Sequence, residues 1–123
     1  MSVVVVVLQT SEFVAASRRD GARTVVRFEG ELDCASEGLA RAEVEIALDR
    51  GGTELVVDLS GLTFLDVRGL HVLLYARSAC QAQQRRLLLV PASDRVQRIL
   101  EICGLDGSFE LLDPDQYAAP YVT

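Results

Sequence analysis

One stretch of the chain, Leu55–Tyr75, constrains the fold more than any other. It starts as an apolar, β-branched run, passes through Asp, Ser and Gly, and continues with leucines at helical spacing. We expect a buried strand over Leu55–Leu59, a tight connection, and a helix that begins after Asp66, whose carboxylate can accept from the free N–H groups of the first turn. Open α/β sheets place their sites where a strand leads into a helix. The first candidates for function are therefore the residues of that turn: Val67, Arg68 and Gly69.

The other segments alternate between strand and helix patterns. Alternating runs over Glu12–Ser17 and Thr24–Glu29 flank Asp20-Gly21, which is typical of a β-hairpin. Three helices are predicted: one from Asp33 or Ser36 to about Arg50, the central helix to about Gln83, and one from Ser93 to a Schellman end at Gly104-Leu105. Two further strands are predicted at Leu87–Val90 and Phe109–Leu112. A short helical turn is predicted from Asp113-Pro114. The order ββαβαβαβ predicts an α/β fold with a mixed, mostly parallel sheet and helices packed on it.

The length of 123 residues fits one domain, which we place at residues 11–123. Residues 1–10 are an N-terminal extension whose apolar run Val3–Leu8 forms either an extra edge strand or a mobile arm that self-associates, so a homodimer stays open. Because no signal peptide is evident and the three cysteines are scattered, we expect a cytoplasmic protein. No apolar run reaches the roughly 18 residues of a membrane span, so no membrane insertion is expected.

The charge pattern disfavours several function classes. Net charge is −6, and the 12 basic residues are scattered arginines, so we expect no nucleic acid partner. The chain has no lysine, which excludes a phosphate-loop lysine and a Schiff base. An acidic surface of this kind suits contacts with other proteins.

Few residues offer catalytic or metal chemistry. His71 is the one histidine, and on the exposed early part of the central helix it favours a partner contact over general base work. Asp33, Asp58 and Asp66 follow strand ends, where they either cap helices and satisfy a turn or converge on magnesium; we favour caps and a turn. Cys80 and Cys103 are predicted on inward helix faces as core residues. We therefore expect no enzyme, no cofactor and no metal.

Two motifs carry a family resemblance. The segments Phe28–Asp33 (FEGELD) and Val56–Asp66 (VVDLSGLTFLD), followed by Gly69-Leu70, resemble the STAS domains of bacterial anti-sigma factor antagonists. The likeness extends through Arg95–Leu105 and covers the chain from about residue 11 onward. It implies the STAS fold and a docking partner, the anti-sigma factor, which in regulated members is also a serine kinase. Phosphorylation of a serine two residues after the Asp66-type aspartate then ends the interaction.

This chain departs from the family at the phosphorylated position. Where the family has Asp-Ser-Ser-Gly or Asp-Thr-Ser-Gly, it has Asp66-Val67-Arg68-Gly69, so the usual switch should be missing. Arg68 either points into water or meets an acidic group, on a partner or on the Asp33 loop. Ser60 and Thr63 are weaker alternatives for phosphorylation, because a turn role for Ser60 and a partly buried Thr63 are favoured.

We therefore predict a non-enzymatic interaction module that binds an anti-sigma factor of the serine-kinase type and promotes sigma-factor-dependent transcription. The alternative is a STAS subunit of a larger complex, such as a stress-sensing assembly or a transporter regulator. The predicted partner-binding residues are Asp33, Asp66, Val67, Arg68, Gly69 and His71.

Overall fold

The computed structural model of the chain describes residues 6–9, 12–91, 93–105, 107 and 109–113, the first of these ranges by its backbone. These residues contain six strands and three helices. The strands are β1 (Val6–Gln9), β2 (Phe13–Asp20), β3 (Arg23–Leu32), β4 (Glu54–Leu65), β5 (Arg86–Val90) and β6 (Glu110–Leu111). The helices are α1 (Glu37–Asp49), α2 (Val67–Ala82) and α3 (Asp94–Ile102).

The strands form one mixed sheet in the order β1-β2-β3-β4-β5-β6. The pairs β1–β2 and β2–β3 are antiparallel, and the pairs from β3 to β6 are parallel. The α/β class and the mostly parallel sheet are thereby confirmed. Strand β1 precedes the predicted order and lies at the sheet edge on β2, while the rest of the N-terminal extension falls outside the described residues.

Alternate residues of β4 pack on the two faces of the sheet, as the strand period of two requires. On one face lies the main core, a single cluster that contains Leu55, Val57 and Leu59 of β4 together with residues of all three helices, Val44, Leu73 and Val96. On the other face lies a smaller apolar cluster: Val25, Val56, Leu88, Val90 and Leu112. The three helices therefore cover a single face, and burial of β4 on both faces explains its apolar run.

Strand β4 is longer than the sequence predicted. We expected it to end at Leu59, but it continues to Leu65 because β3 pairs with it to that point, through two register shifts. Gly61, which looks like a turn residue, lies inside the strand. A Cβ there would lie 3.0 Å from the Phe28 carbonyl oxygen, so this glycine permits close approach of β3.

The end of α3 is a Schellman motif, as predicted. The Leu105 N–H donates to Leu100 O at 2.8 Å, and the Gly104 N–H donates to Glu101 O at 2.9 Å. The inward placement of Cys103 was wrong: it is exposed at the C-cap, because the helix ends one residue earlier, whereas Cys80 is buried as predicted. The helical turn predicted from Asp113-Pro114 extends beyond the described residues.

Candidate functional site

The carboxyl ends of β3 and β4 bring the predicted site residues together. Leu32 and Leu65 are paired as the last residues of their strands, and the Asp66 N–H donates to Leu32 O at 3.3 Å. Because parallel strands end at the same edge of a sheet, the turn at Asp33 and the start of α2 lie side by side.

Asp66 is the N-cap of α2, as predicted. Its backbone is extended, and its Oδ1 accepts from the Arg68 N–H at 2.9 Å and the Gly69 N–H at 3.2 Å. Two of the free N–H groups at the helix start are thus satisfied by one carboxylate. The cap fixes the backbone direction of Val67 and Arg68. Asp66, which is half-buried, therefore positions the first turn of α2.

Asp33 shapes the turn before α1. Its Oδ1 accepts from the Ala35 N–H at 2.9 Å and the Ser36 N–H at 3.3 Å. Ser36 is the N-cap residue of α1, but its hydroxyl donates to Glu31 O at 2.7 Å and does not cap the helix. We predicted that either Asp33 or Ser36 caps this helix. Ser36 occupies the N-cap position without a side-chain cap bond, and its hydroxyl ties the turn to β3. The Asp33 carboxylate holds the turn that precedes the helix.

Arg68 is exposed in the first turn of α2 and faces an acidic residue. Its Nη1 lies 3.7 Å from Glu37 Oε1, and the Arg68 side chain keeps 58% of its surface accessible. Glu37 opens α1, and its N–H donates to Asp33 O at 2.9 Å. Arg68 thus points largely into water and loosely contacts an acidic group at the start of α1, while contact with an acidic group of a partner stays a prediction.

Exposed apolar side chains lie near the end of β4 and in the first turn of α2. Val67 is 64% exposed and Phe64 is 37% exposed, and they are two of the four large hydrophobic side chains exposed in the described residues. His71, also exposed, follows Val67 by four residues and lies on the same helix face. Phe64 was not predicted as a site residue, because strand alternation from the buried Leu62 favours a buried side chain at position 64.

Gly69 lies elsewhere than predicted. We placed it among the partner-binding residues, but it is buried against the end of β3. A Cβ at this position would lie 2.9 Å from Leu32 Cγ and 3.1 Å from Leu32 O, and would also contact Leu65 Cδ1. The glycine therefore permits close packing of α2 on β3 and does not present a surface.

The alternative hydroxyls, Ser60 and Thr63, are both exposed and lie within β4, so the turn role predicted for Ser60 was wrong. Ser60 donates its hydroxyl to Asp58 Oδ1 at 2.6 Å and accepts from Arg27 Nη1 at 3.2 Å, while Asp58 itself is buried and paired with Arg27 at 3.0 Å. Asp58 was predicted to satisfy a turn. It instead lies within β4, where its carboxylate forms a buried ion pair with Arg27 and also accepts from Ser60. Thr63 is exposed, so its predicted partial burial was wrong.

The three aspartates considered for magnesium have separate partners: Asp33 accepts from its own turn, Asp66 accepts from the start of α2, and Asp58 pairs with Arg27. In the part of the chain that the structure describes, no three His, Cys, Asp or Glu side chains are grouped to hold a metal ion. The helices of that same part are each too short or too polar to cross a membrane.

Comparisons with known proteins agree with this geometry. A family model of the STAS domain matches residues 13–118. An anti-sigma-B factor antagonist of Listeria monocytogenes is 30% identical over 82 residues, which cover 67% of this chain and 72% of that protein. The chain is a STAS domain of the anti-sigma factor antagonist family. The same identity and coverage hold for the antagonist of Listeria innocua.

Solved structures show the same fold. SpoIIAA, an anti-sigma factor antagonist, in its unphosphorylated form superposes on this STAS domain with a TM-score of 0.65 at 22% identity, covering 92% of this chain and 91% of SpoIIAA. An anti-sigma factor antagonist from Mycobacterium paratuberculosis gives 0.62 at 22% identity, covering 92% and 86%. At these identities the likeness supports the fold alone, and partner contact by the predicted residues stays a prediction.

Proposed function

We propose that this STAS domain binds an anti-sigma factor of the serine-kinase type and thereby promotes sigma-factor-dependent transcription. It would do so in the cytoplasm as a binding protein, with no enzymatic step or cofactor of its own. The contact would be made by a docking surface that we define as Asp33, Phe64, Val67, Arg68 and His71, with Asp66 and Gly69 holding its backbone in place.

The observation that carries the proposal is the exposed first turn of α2 beside the Asp33 turn. Exposed apolar side chains flanking a charged one are the pattern of a protein interface, because the apolar groups exclude water from the polar contact. Val67 is 64% exposed and belongs to neither apolar cluster, so most of its apolar surface is available to a partner. The family membership then suggests an anti-sigma factor as that partner.

The same turn supports the absence of the usual phosphorylation switch. The side chain at the family's acceptor position is the Arg68 guanidinium, which has no hydroxyl to take a phosphoryl group. Binding would then follow the concentrations of the two proteins and their dissociation constant, so sigma factor release would be set by abundance. Ser60 is exposed, but its hydroxyl is already engaged by the Asp58 carboxylate and the Arg27 guanidinium, which makes it a poorer acceptor than a free serine.

The test has a binding arm and a labelling arm. The tagged chain is used to retain partners from its native cell, the retained anti-sigma factor is purified, and its affinity for the chain is measured by calorimetry. The purified pair is then incubated with γ-labelled ATP. We expect tight binding and no label on the wild-type chain, whereas the double variant Val67→Ser, Arg68→Ser should gain label.

The matched control is Val67→Ser, Arg68→Ala, which lacks a hydroxyl at position 68 and should stay unlabelled. Stoichiometric label on the wild-type chain, mapped to Ser60 or Thr63, would refute the unswitched part of the proposal. Retention of a transporter or a stress-sensing assembly, with no anti-sigma factor bound, would instead favour the alternative of a subunit in a larger complex.

A further inference from the structure

Arg68 is held less firmly than the structural arginines of this chain. Arg85 donates to two carbonyl oxygens at the end of α1, Leu48 O at 2.8 Å and Gly51 O at 3.4 Å. The Arg86 guanidinium donates hydrogen bonds to the carboxylates of both Glu54 and Glu110. Among the described residues, the Arg68 guanidinium has one ion pair, at 3.7 Å to Glu37, and no hydrogen bond. Most of its donors are therefore available to another molecule.

The position of Arg68 is also unfavourable for the helix that carries it. It is the second residue of α2, where the helix dipole favours anions and disfavours a cation. Glu37, in the first turn of α1, offsets this charge only through a loose contact, because exposed ion pairs of this kind are weak and screened by salt. The fold therefore gains little from an arginine at this place.

The surroundings suit a second carboxylate. Val67, which precedes Arg68 in the same turn, is an exposed apolar side chain, and a partner seated on it would exclude water and strengthen an ion pair made by Arg68. We propose that Arg68 contacts an aspartate or glutamate of the anti-sigma factor, and that Glu37 is the residue it leaves on binding. This inference rests on the proposed function, since it specifies the chemistry of the partner at the same docking surface.

The specificity that follows is one of charge. An anti-sigma factor with a carboxylate opposite position 68 would be attracted to this chain, whereas one with a basic residue there would be repelled. Charge complementarity of this type would let the chain select its partner at the position where the family resemblance implies a serine.

The experiment uses the purified anti-sigma factor retained by the wild-type chain and measures dissociation constants by calorimetry at low and high salt. We expect Arg68→Glu to weaken binding about tenfold or more and Arg68→Ala less, with weaker salt dependence in both variants. Glu37→Gln, which removes the competing carboxylate, should tighten binding about two- to fivefold. Arg98→Glu, on the exposed side of α3, is the control with the same change in net charge and should bind like wild type.

A partner-side variant completes the test. Replacing the anti-sigma factor's facing Asp or Glu with arginine should restore binding to Arg68→Glu and weaken binding to the wild-type chain. If the wild-type chain binds but Arg68→Glu binds equally well, the inference is wrong while the proposed function stands. If the wild-type chain binds no anti-sigma factor, both are wrong.

Discussion

Replacing Gly69 with alanine should destabilise this STAS domain, although alanine is the better helix former. Gly69 lies in the first turn of α2, pressed against the end of β3. The added methyl group would lie 2.9 Å from Leu32 Cγ and 3.1 Å from Leu32 O, and it would overlap Leu65 Cδ1. The two leucine side chains can move, but the Leu32 carbonyl is part of the β3 backbone, so the helix start itself has to shift.

The magnitude follows from two opposing terms. Forcing a methyl group into a packed site costs about 1–3 kcal/mol. The change from glycine to alanine in a helix stabilises the folded state by about 0.8–1 kcal/mol. Because the terms partly cancel, we expect the free energy of unfolding to fall by up to about 2 kcal/mol, with a lower melting temperature.

Gly38 provides the control for this measurement. It lies in the first turn of α1, is exposed, and a Cβ built on it meets no atom within 4 Å. Gly38→Ala should therefore keep the propensity gain alone and raise stability by up to about 1 kcal/mol. Urea denaturation of both variants should give a difference of about 1–3 kcal/mol between them. Equal stabilisation by the two changes would refute the packing role of Gly69.

Three further changes test the core, the helix cap and a buried carboxyl. Leu73 is 1% exposed in the main core, so Leu73→Ala should cost about 2–5 kcal/mol in urea denaturation, and a near-neutral result would contradict the predicted inner face of α2. Asp66→Ala removes the cap of α2 and should cost about 0.5–2 kcal/mol, whereas Asp66→Asn, which keeps an acceptor oxygen, should cost much less by the same measurement. Burial raises the pKa of the Glu43 carboxyl, an effect that the Ser17 hydroxyl and the Arg50 guanidinium oppose only in part. The native state thus keeps this proton to higher pH than the unfolded chain, so its stabilisation is complete below the ordinary glutamate pKa and is lost as pH rises through the raised value. Glu43→Gln should remove this loss, and urea midpoints that fall equally with rising pH in both proteins would refute it.

The sequence predicts the elements well where one physical signal dominates. The apolar run of β4, the Asp66 cap and the Gly104-Leu105 end each depend on neighbouring residues alone, and all three are confirmed. The length of β4 was missed because Ser60-Gly61 resembles a turn when β3 is not considered. Pairing with a distant strand decides that length, and a local pattern carries no information about it.

The backbone that carries the candidate site was predicted in position, whereas the surroundings of its side chains were not. The spacing of Asp66 from the strand places the first turn of α2 correctly, and the family resemblance adds the Asp33 turn. Local signals cannot show that Gly69 is buried or that Glu37 reaches Arg68, since both facts depend on how α1 and α2 pack. Phe64 was missed for a similar reason, because its exposure follows from the bulged register between β3 and β4.

The first turn of α2 divides into residues that build it and residues that it displays. Asp66 and Gly69 have local reasons for their identity, a cap and a close packing contact. Val67 and Arg68 lie between them and conflict with local rules, one as an exposed apolar side chain and the other as a cation at a helix start. Residues that violate local rules of stability concentrate at functional sites, where function rather than stability determines which residue is present. Since the backbone is held from both sides, we expect substitutions at positions 67 and 68 to leave the turn intact and to change mainly its surface. The fold therefore places little demand on the side chain at position 68, and we expect it to accept an arginine where the family resemblance implies a phosphorylated serine.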